Sequence, residues 1–385
     1  MANVKDFGAF GDNLHDDREA LQAALFSGDK EILIPQGIYH ISDTLYVPSN
    51  TTILADPTAK IVLTGGKRKH RGDFLLSNSD VENGNRNITV IGGIWDGSNQ
   101  EPENAKPDIF EEQGYSGALL NFVNVDGLVL KNMVIANTTT YYVRMSRLHN
   151  FEIEDISFVS DKFGRNQDGL HFGGDCKHGK VKNIRALSYG QTNDDLIALN
   201  ADDSIVRVEN RDLVRDDIED ILIENIYAES CHTIVRLLSV DVAIRNVHFK
   251  NVYGGFRAYA VNADGARYCA TPLFKEEDRP HGVGCIENVT IENFTCYKAP
   301  VPENYVGSGI TGCSREPALK VESNMDDFTI RNFRFVDNGS KSNALQLRNL
   351  ENQVVYADDT LYEVKERTEN LELENFTDIR INKRK

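Results

Sequence analysis

An all-β fold, a single-stranded right-handed parallel β-helix, is the class this sequence predicts, and three observations predict it. Short segments that alternate apolar and polar residues recur along the chain, each centred on Asn or Asp. Where neighbouring copies are found the central residue returns after roughly 21 to 28 positions, as from Asp155 to Asn183 and from Asn225 to Asn246. The 385 residues are 40% hydrophobic with only 10 prolines and 29 glycines, which supplies an ordered core and lacks the bias of a disordered chain. The expectation is one domain over 1–385, with about 1–30 as an N-terminal cap segment and about 31–385 as coils and loops.

The cap comes first in the chain. Asp16 and Asp17 precede REALQAALFSG, where Leu21, Ala24 and Leu25 share one face of a short helix that Gly28 can end. Covering the first coil hides backbone groups that would otherwise pair with another chain. The coils follow as GLVLKNMVI ending at Ile135, FEIEDISFV at Val159, KVKNIRAL at Leu187, DILIENIYA at Ala228, VAIRNVHF at Phe249, NVTIENFTC at Cys296, FTIRNFRF at Phe335 and LELENFTD at Asp378. Period-two alternation buries one face of each strand, and stacking coils is what buries it. Asn at a corner tolerates a left-handed backbone and can hydrogen-bond the Asn one coil away. Leucine-rich repeats and propellers carry other patterns. The stretches 100–117 and 263–284 show no strand pattern and read as long loops that shape a site or a subunit contact.

Charge and cysteines narrow the partners. With 59 acidic against 42 basic residues the formal charge is -17, which repels nucleic-acid phosphates and anionic membrane surfaces, and leans the expected substrate toward neutral. No run of 18 apolar residues is present. The opening MANVKDFGAFGD lacks the basic and apolar regions of a secretory signal, so the expectation is a cytoplasmic protein, or a secreted or periplasmic one whose signal has been removed. Cys176, Cys231, Cys269, Cys285, Cys296 and Cys313 lack close metal-ligand spacing and read as mostly buried thiols. Asn-x-Thr triplets at Asn87 and Asn293 fall in expected strands, where a glycan does not fit.

The chemistry sits in Asn166-Gln167-Asp168-Gly169 and Asn193-Asp194-Asp195. Inverting hydrolysis of a glycosidic bond needs a protonated carboxyl and a base carboxylate ~6.5–9.5 Å apart with water between them. Coils stack ~4.8 Å apart, so carboxylates on neighbouring coils, offset along the strand, reach that separation. Crowded like charges keep a proton on one of them near neutrality. Neighbours in a flat strand face opposite ways, so Asp194 and Asp195 share a groove only if the backbone turns at Gln191-Thr192-Asn193. The alternative for the pair is a corner role like that of Asn132 or Asp155. Arg236, flanked by apolar residues in IVRLLS, is expected to point into the groove. Asn166, Arg165, His171, Gln191 and His232 join it as substrate-binding candidates, and Tyr141, Tyr142, Arg144, Lys162, Arg257 and Tyr259 as cleft-lining ones. Asp202-Asp203 and Asp216-Asp217 are read as solvated turns, with no metal or other cofactor called for.

These residues carry a family resemblance. VKDFGAFGDNLHDDREALQAAL, EILIPQGIYHI and GGIWDGS around Trp95 are similar to the start of pectin-lyase-like β-helix enzymes, and Leu119 to Asp195 resembles glycoside hydrolase family twenty-eight, the polygalacturonases. The resemblance implies an Asp triad, with Asp194 as the acid and Asp168 with Asp195 holding and activating water. The chain departs from the family in three places. Gln167 stands where Thr is usual, ADDSIVRVENRDLV replaces the Gly-His-Gly motif, and Arg236-Leu237-Leu238 has Leu in place of the Lys that binds uronate. The last counts against polygalacturonate as substrate, and His232 is a candidate for the missing histidine. The expected partner is an oligo- or polysaccharide, with a homo-oligomer left open. A lyase, a transferring or isomerising enzyme, or a non-catalytic carbohydrate-binding β-helix protein are the alternatives on the same fold.

Overall fold

The computed structural model describes residues 1–64, 74–98, 117–164, 166–202, 213–266, 274–300 and 314–384. Arg165, Asp203, Cys269, Cys313, most of 100–117 and part of 263–284 lie outside the described residues. The chain is mostly β, and its long strands pair in parallel. Leu120–Ala136 pairs with Val143–Val159, which pairs with Leu170–Phe172 and Cys176–Ala186. Those pair onward with Asp195–Asn200 and Ile218–Leu238, then Ala243–Asp264, then Cys285–Lys298. Alternating side chains such as Ile153, Val181, Ile223, Phe249 and Ile291 enter one continuous core.

Two asparagine ladders mark the corners of these long strands. In one, Asn183 donates to Asp155, Asn225 to Asn183, Asn251 to Asn225, Asn293 to Asn251 and Asn332 to Asn293, all at 2.9–3.0 Å. In the other, Asn246 donates to Asp220 and Asn288 to Asn246. Each of these residues has φ between 51° and 60°, where Asn is tolerated and its amide links the coils. The sequence reading placed Asn246 after Asn225 in a single series. The register instead pairs Asp220 with Asn246, and the next rung after Asn225 is Asn251. Each of these coils carries two left-handed corners five residues apart, filled by Asn or Asp and once by His178, and a single-period reading merges them.

The ends differ from the middle. The helix α1, Arg18–Leu25, buries Leu21, Ala24 and Leu25 as its spacing predicts. Asp17 at its start turns its carboxylate to the Phe10 and Gly11 amides, at 2.6 and 2.9 Å. The segment LELENFTD, expected as a further coil, is not one. Leu371–Leu373 and Ile379–Lys383 run antiparallel to Leu345–Leu347 and Met325–Val336, beside the hairpin of Gln353–Ala357 and Thr360–Val364. Reversing the chain pairs an edge that no further coil covers.

Candidate active site

The register lays one outward-facing column across successive coils. Asn121 pairs with Arg144, Arg144 with His171, His171 with Ala198, Ala198 with Arg236, Arg236 with Asn262 and Asn262 with Lys320. Three residues before His171 and Ala198 stand Asp168 and Asp195, on adjacent coils. Asp194 precedes the 195–200 strand, after a turn that contains a cis peptide between Gln191 and Thr192. That turn, expected at 191–193, lets the two neighbouring aspartates face one cluster. Oxygens of Asp194 and Asp195 and a ring nitrogen of His232 all lie within 4.8 Å of one another, so the two aspartates stand closer than the ~6.5–9.5 Å expected between an inverting acid and base.

Each carboxylate has its own setting. Asp168 Oδ2 is 2.6 Å from His171 Nδ1, and the imidazole stacks on Tyr141 with ring centroids 4.1 Å apart. Asp195 Oδ2 accepts from Arg236 at 3.4 Å, and the same guanidinium donates to Asp264 at 2.9 Å. Asp194 Oδ1 is 3.5 Å from His232 Nδ1. Asp194 keeps 27% of its side-chain surface, whereas Asp168 and Asp195 keep 3% each. Asp194 is therefore the one of the three that a molecule arriving from solvent can touch, and the other two are enclosed.

Loss of hydration raises all three carboxyls, Asp168 to about 6 and Asp194 and Asp195 to about 7. Mutual repulsion adds to this: Asp195 raises Asp168, Asp168 raises Asp194, and Asp194 raises Asp195, while Arg236 opposes the rise in each. Burial, with the nearby charges of Arg257, Arg236 and Lys298, lowers His232 to about 3, so it stands neutral beside Asp194. A protonated carboxyl and a charged one therefore coexist near neutral pH, as acid–base chemistry requires. Asp194, Asp195 and His232 could also hold a cation. Arg236 already supplies positive charge to that cluster.

Several expected site residues turn out to support the site from behind. Gln191 is fully buried, its amide donating to the Lys162 carbonyl and Gln167 Oε1 and accepting from the Tyr142 hydroxyl. Tyr142 is buried in the core. Arg257, expected to line the cleft, is 1% exposed. Its guanidinium donates to the Gly190 and Ser230 carbonyls at 2.8 and 3.1 Å and to Asn193 Oδ1 at 2.6 Å. Asn193 in turn donates to the Gly164 carbonyl at 2.7 Å, so a buried cation ties down the loop that ends on Asp194. Arg144 is buried and donates to Asn121. Asn166 is half-buried with φ 54°. Sequence reasoning missed Asp264, the partner of Arg236, because only the register brings the end of the 243–264 strand beside it.

Known proteins resemble this chain in sequence or in fold. A pre-neck appendage protein of Bacillus phage B103 is 36% identical over 98 residues, which is 26% of this chain and 11% of that protein. The chain thus spans about a ninth of that relative. A GH82 iota-carrageenase from A. fortis superposes with TM-score 0.58 at 16% identity, over 89% of this chain and 90% of that one. A family 28 exopolygalacturonase of Yersinia enterocolitica gives 0.51 at 15% identity, over 88% and 76%. At such identities the likeness to both enzymes is one of fold. The model of the rhamnogalacturonase A/epimerase, pectate lyase-like family matches residues 1–257, a span that holds every carboxylate of the triad together with Arg236 and Arg257, and the chain belongs to that family.

Proposed function

We propose that the chain is a glycoside hydrolase that cuts a glycosidic bond of an oligo- or polysaccharide with inversion, on a right-handed β-helix whose first coil α1 caps. The observation that carries this reading is the meeting of three carboxyls of raised pKa, one open to solvent and two deep. Asp194, the accessible one, gives its proton to the leaving oxygen. Asp168 and Asp195 hold a water on the far side and take its proton as it attacks the anomeric carbon. Arg236 holds Asp195 in place and favours its charged form against the effect of burial, while His171 does the same for Asp168. His232 meets the leaving sugar as a neutral hydrogen-bonding group beside the acid. Reducing-end release from a panel of plant and microbial glycans tests the assignment. Wild type releases ends from at least one polymer, and Asp194→Asn lowers kcat about 10²–10⁴-fold with its fold intact. An unchanged rate in that variant removes the assignment.

The phage relative favours a second reading, an appendage-type protein that binds a glycan and leaves it whole. A polymer bound by wild type with no ends released and no unsaturated product supports it.

A further inference from the structure

Beside the acid loop, four tyrosines gather on the outer surface of the coils. Tyr227 pairs in register with Tyr253, and their rings lie 6.0 Å apart and 11° from parallel. Tyr253 is also 6.0 Å from Tyr297, at 57°. Tyr253 is 50% exposed and Tyr189 45%. Gly255 pairs directly with Tyr297 and makes its position available. A Cβ at Gly255 would lie 2.6 Å from the Tyr297 ring and 2.4 Å from the Glu229 carbonyl oxygen. The Tyr297 hydroxyl donates to that same carbonyl at 2.9 Å, and the Tyr227 hydroxyl donates to Glu229 Oε2 at 2.8 Å. Tyr189 donates to the Pro300 carbonyl.

We propose that this tyrosine surface is a second glycan-binding site, taking a neutral segment of the polymer whose linkage is cut at Asp194; the proposal rests on the reading of the substrate as a glycan. Continuity with the acid cluster argues for that occupant. Tyr189 opens the loop that ends on Asp194, the Gly190 amide donates to Ser230 Oγ next to Glu229, and His232 follows three residues after Glu229. A tyrosine presents an apolar face and a polar tip, the same combination as a sugar ring with its hydroxyl rim. Glu229 lies in the middle of the group, where its carboxylate accepts from sugar hydroxyls and repels carboxylated or sulfated units. Exposed Leu187, two residues before Tyr189, extends the apolar area.

Affinity electrophoresis tests the site in gels that contain β-glucan, xylan, galactan, galactomannan or polygalacturonate. The samples are wild type, Asp194→Asn, Tyr253→Ala and the double variant Tyr189→Ala with Tyr253→Ala, each checked for a cooperative melting transition. At least one neutral polymer retards wild type and Asp194→Asn alike, Tyr253→Ala weakens that retardation about three- to tenfold, and the double variant weakens it further. No retardation of wild type by any neutral polymer, or equal retardation of the double variant, overturns the proposal. A dimer of wild type that Tyr253→Ala dissolves, with no retardation, overturns it in favour of a second copy of this chain. Reducing-end release from the same samples separates the two readings. Retardation that depends on the tyrosines without release sinks the hydrolase and keeps the surface, and release with unchanged mobility of the double variant does the reverse.

Discussion

Arg257 carries more of the site than its place in the chain suggests. It lies on the 243–264 strand, yet its guanidinium holds Gly190, Asn193 and Ser230 around the loop that presents Asp194. A buried charge held by carbonyl and amide oxygens fixes geometry, and a small displacement of an acid costs about 10²-fold in rate. Arg257→Met is therefore expected to lower kcat about 10–100-fold with KM nearly unchanged, and Arg257→Lys to recover part of the loss, as steady-state kinetics on an active polymer would read. A fall in KM affinity with kcat intact would place Arg257 on the substrate instead. That Asp168, Asp194 and Asp195 would come together was legible in the sequence, because two short motifs one coil apart bring carboxylates into one cluster. The roles of Arg257 and Gln191 were not, because a polar residue gives no sign of which side of a loop its side chain will take.

At the scale of elements, the ladders show what periodicity can and cannot reveal. Asn with alternating apolar neighbours announced the corners, and the hydrogen bonds between coils follow from it. Long excursions hide the period: successive rungs of one ladder are 28, 42, 26, 42 and 39 residues apart. That irregularity made Asn246 look like the rung after Asn225. The final segment misled for another reason, since alternation specifies a strand and its buried face but not its direction. Asn225→Ala removes two rungs at once, because Asn225 donates to Asn183 and accepts from Asn251, and it leaves a left-handed residue, φ 60°, without the short polar side chain that makes Asn tolerated there. The expected cost is about 1–2 kcal/mol, measured as a lower denaturant midpoint; a midpoint equal to wild type would make the ladder an ornament of the fold.

Across the whole molecule the acid cluster couples function to stability. Asp168, Asp194 and Asp195 have folded pKa values of about 6, 7 and 7 against 3.8, so between about pH 4.5 and 6 the folded state holds three protons that the unfolded state has lost. His232, lowered from 6.5 to about 3, works the other way by one proton. Three less one leaves the folded state two protons richer, so this cluster's contribution to stability falls as pH rises through that window. Melting temperature followed over pH 4.5–6 should decline less in Asp194→Asn than in wild type, and the variant should be the more stable at pH 7.5, where the wild-type site is charged and crowded. An equal decline in the two would mean that Asp194 ionises in the folded chain as it does in the unfolded one.

The proposed hydrolysis places a half-buried carboxyl and two deep ones around one glycosidic bond, with a water held by the deep pair. Proton NMR of the first sugar released, recorded before mutarotation, tests that arrangement most directly. Inversion at the new reducing end is the predicted result, and retention would contradict it, since retention requires a carboxylate close enough to attack the sugar itself.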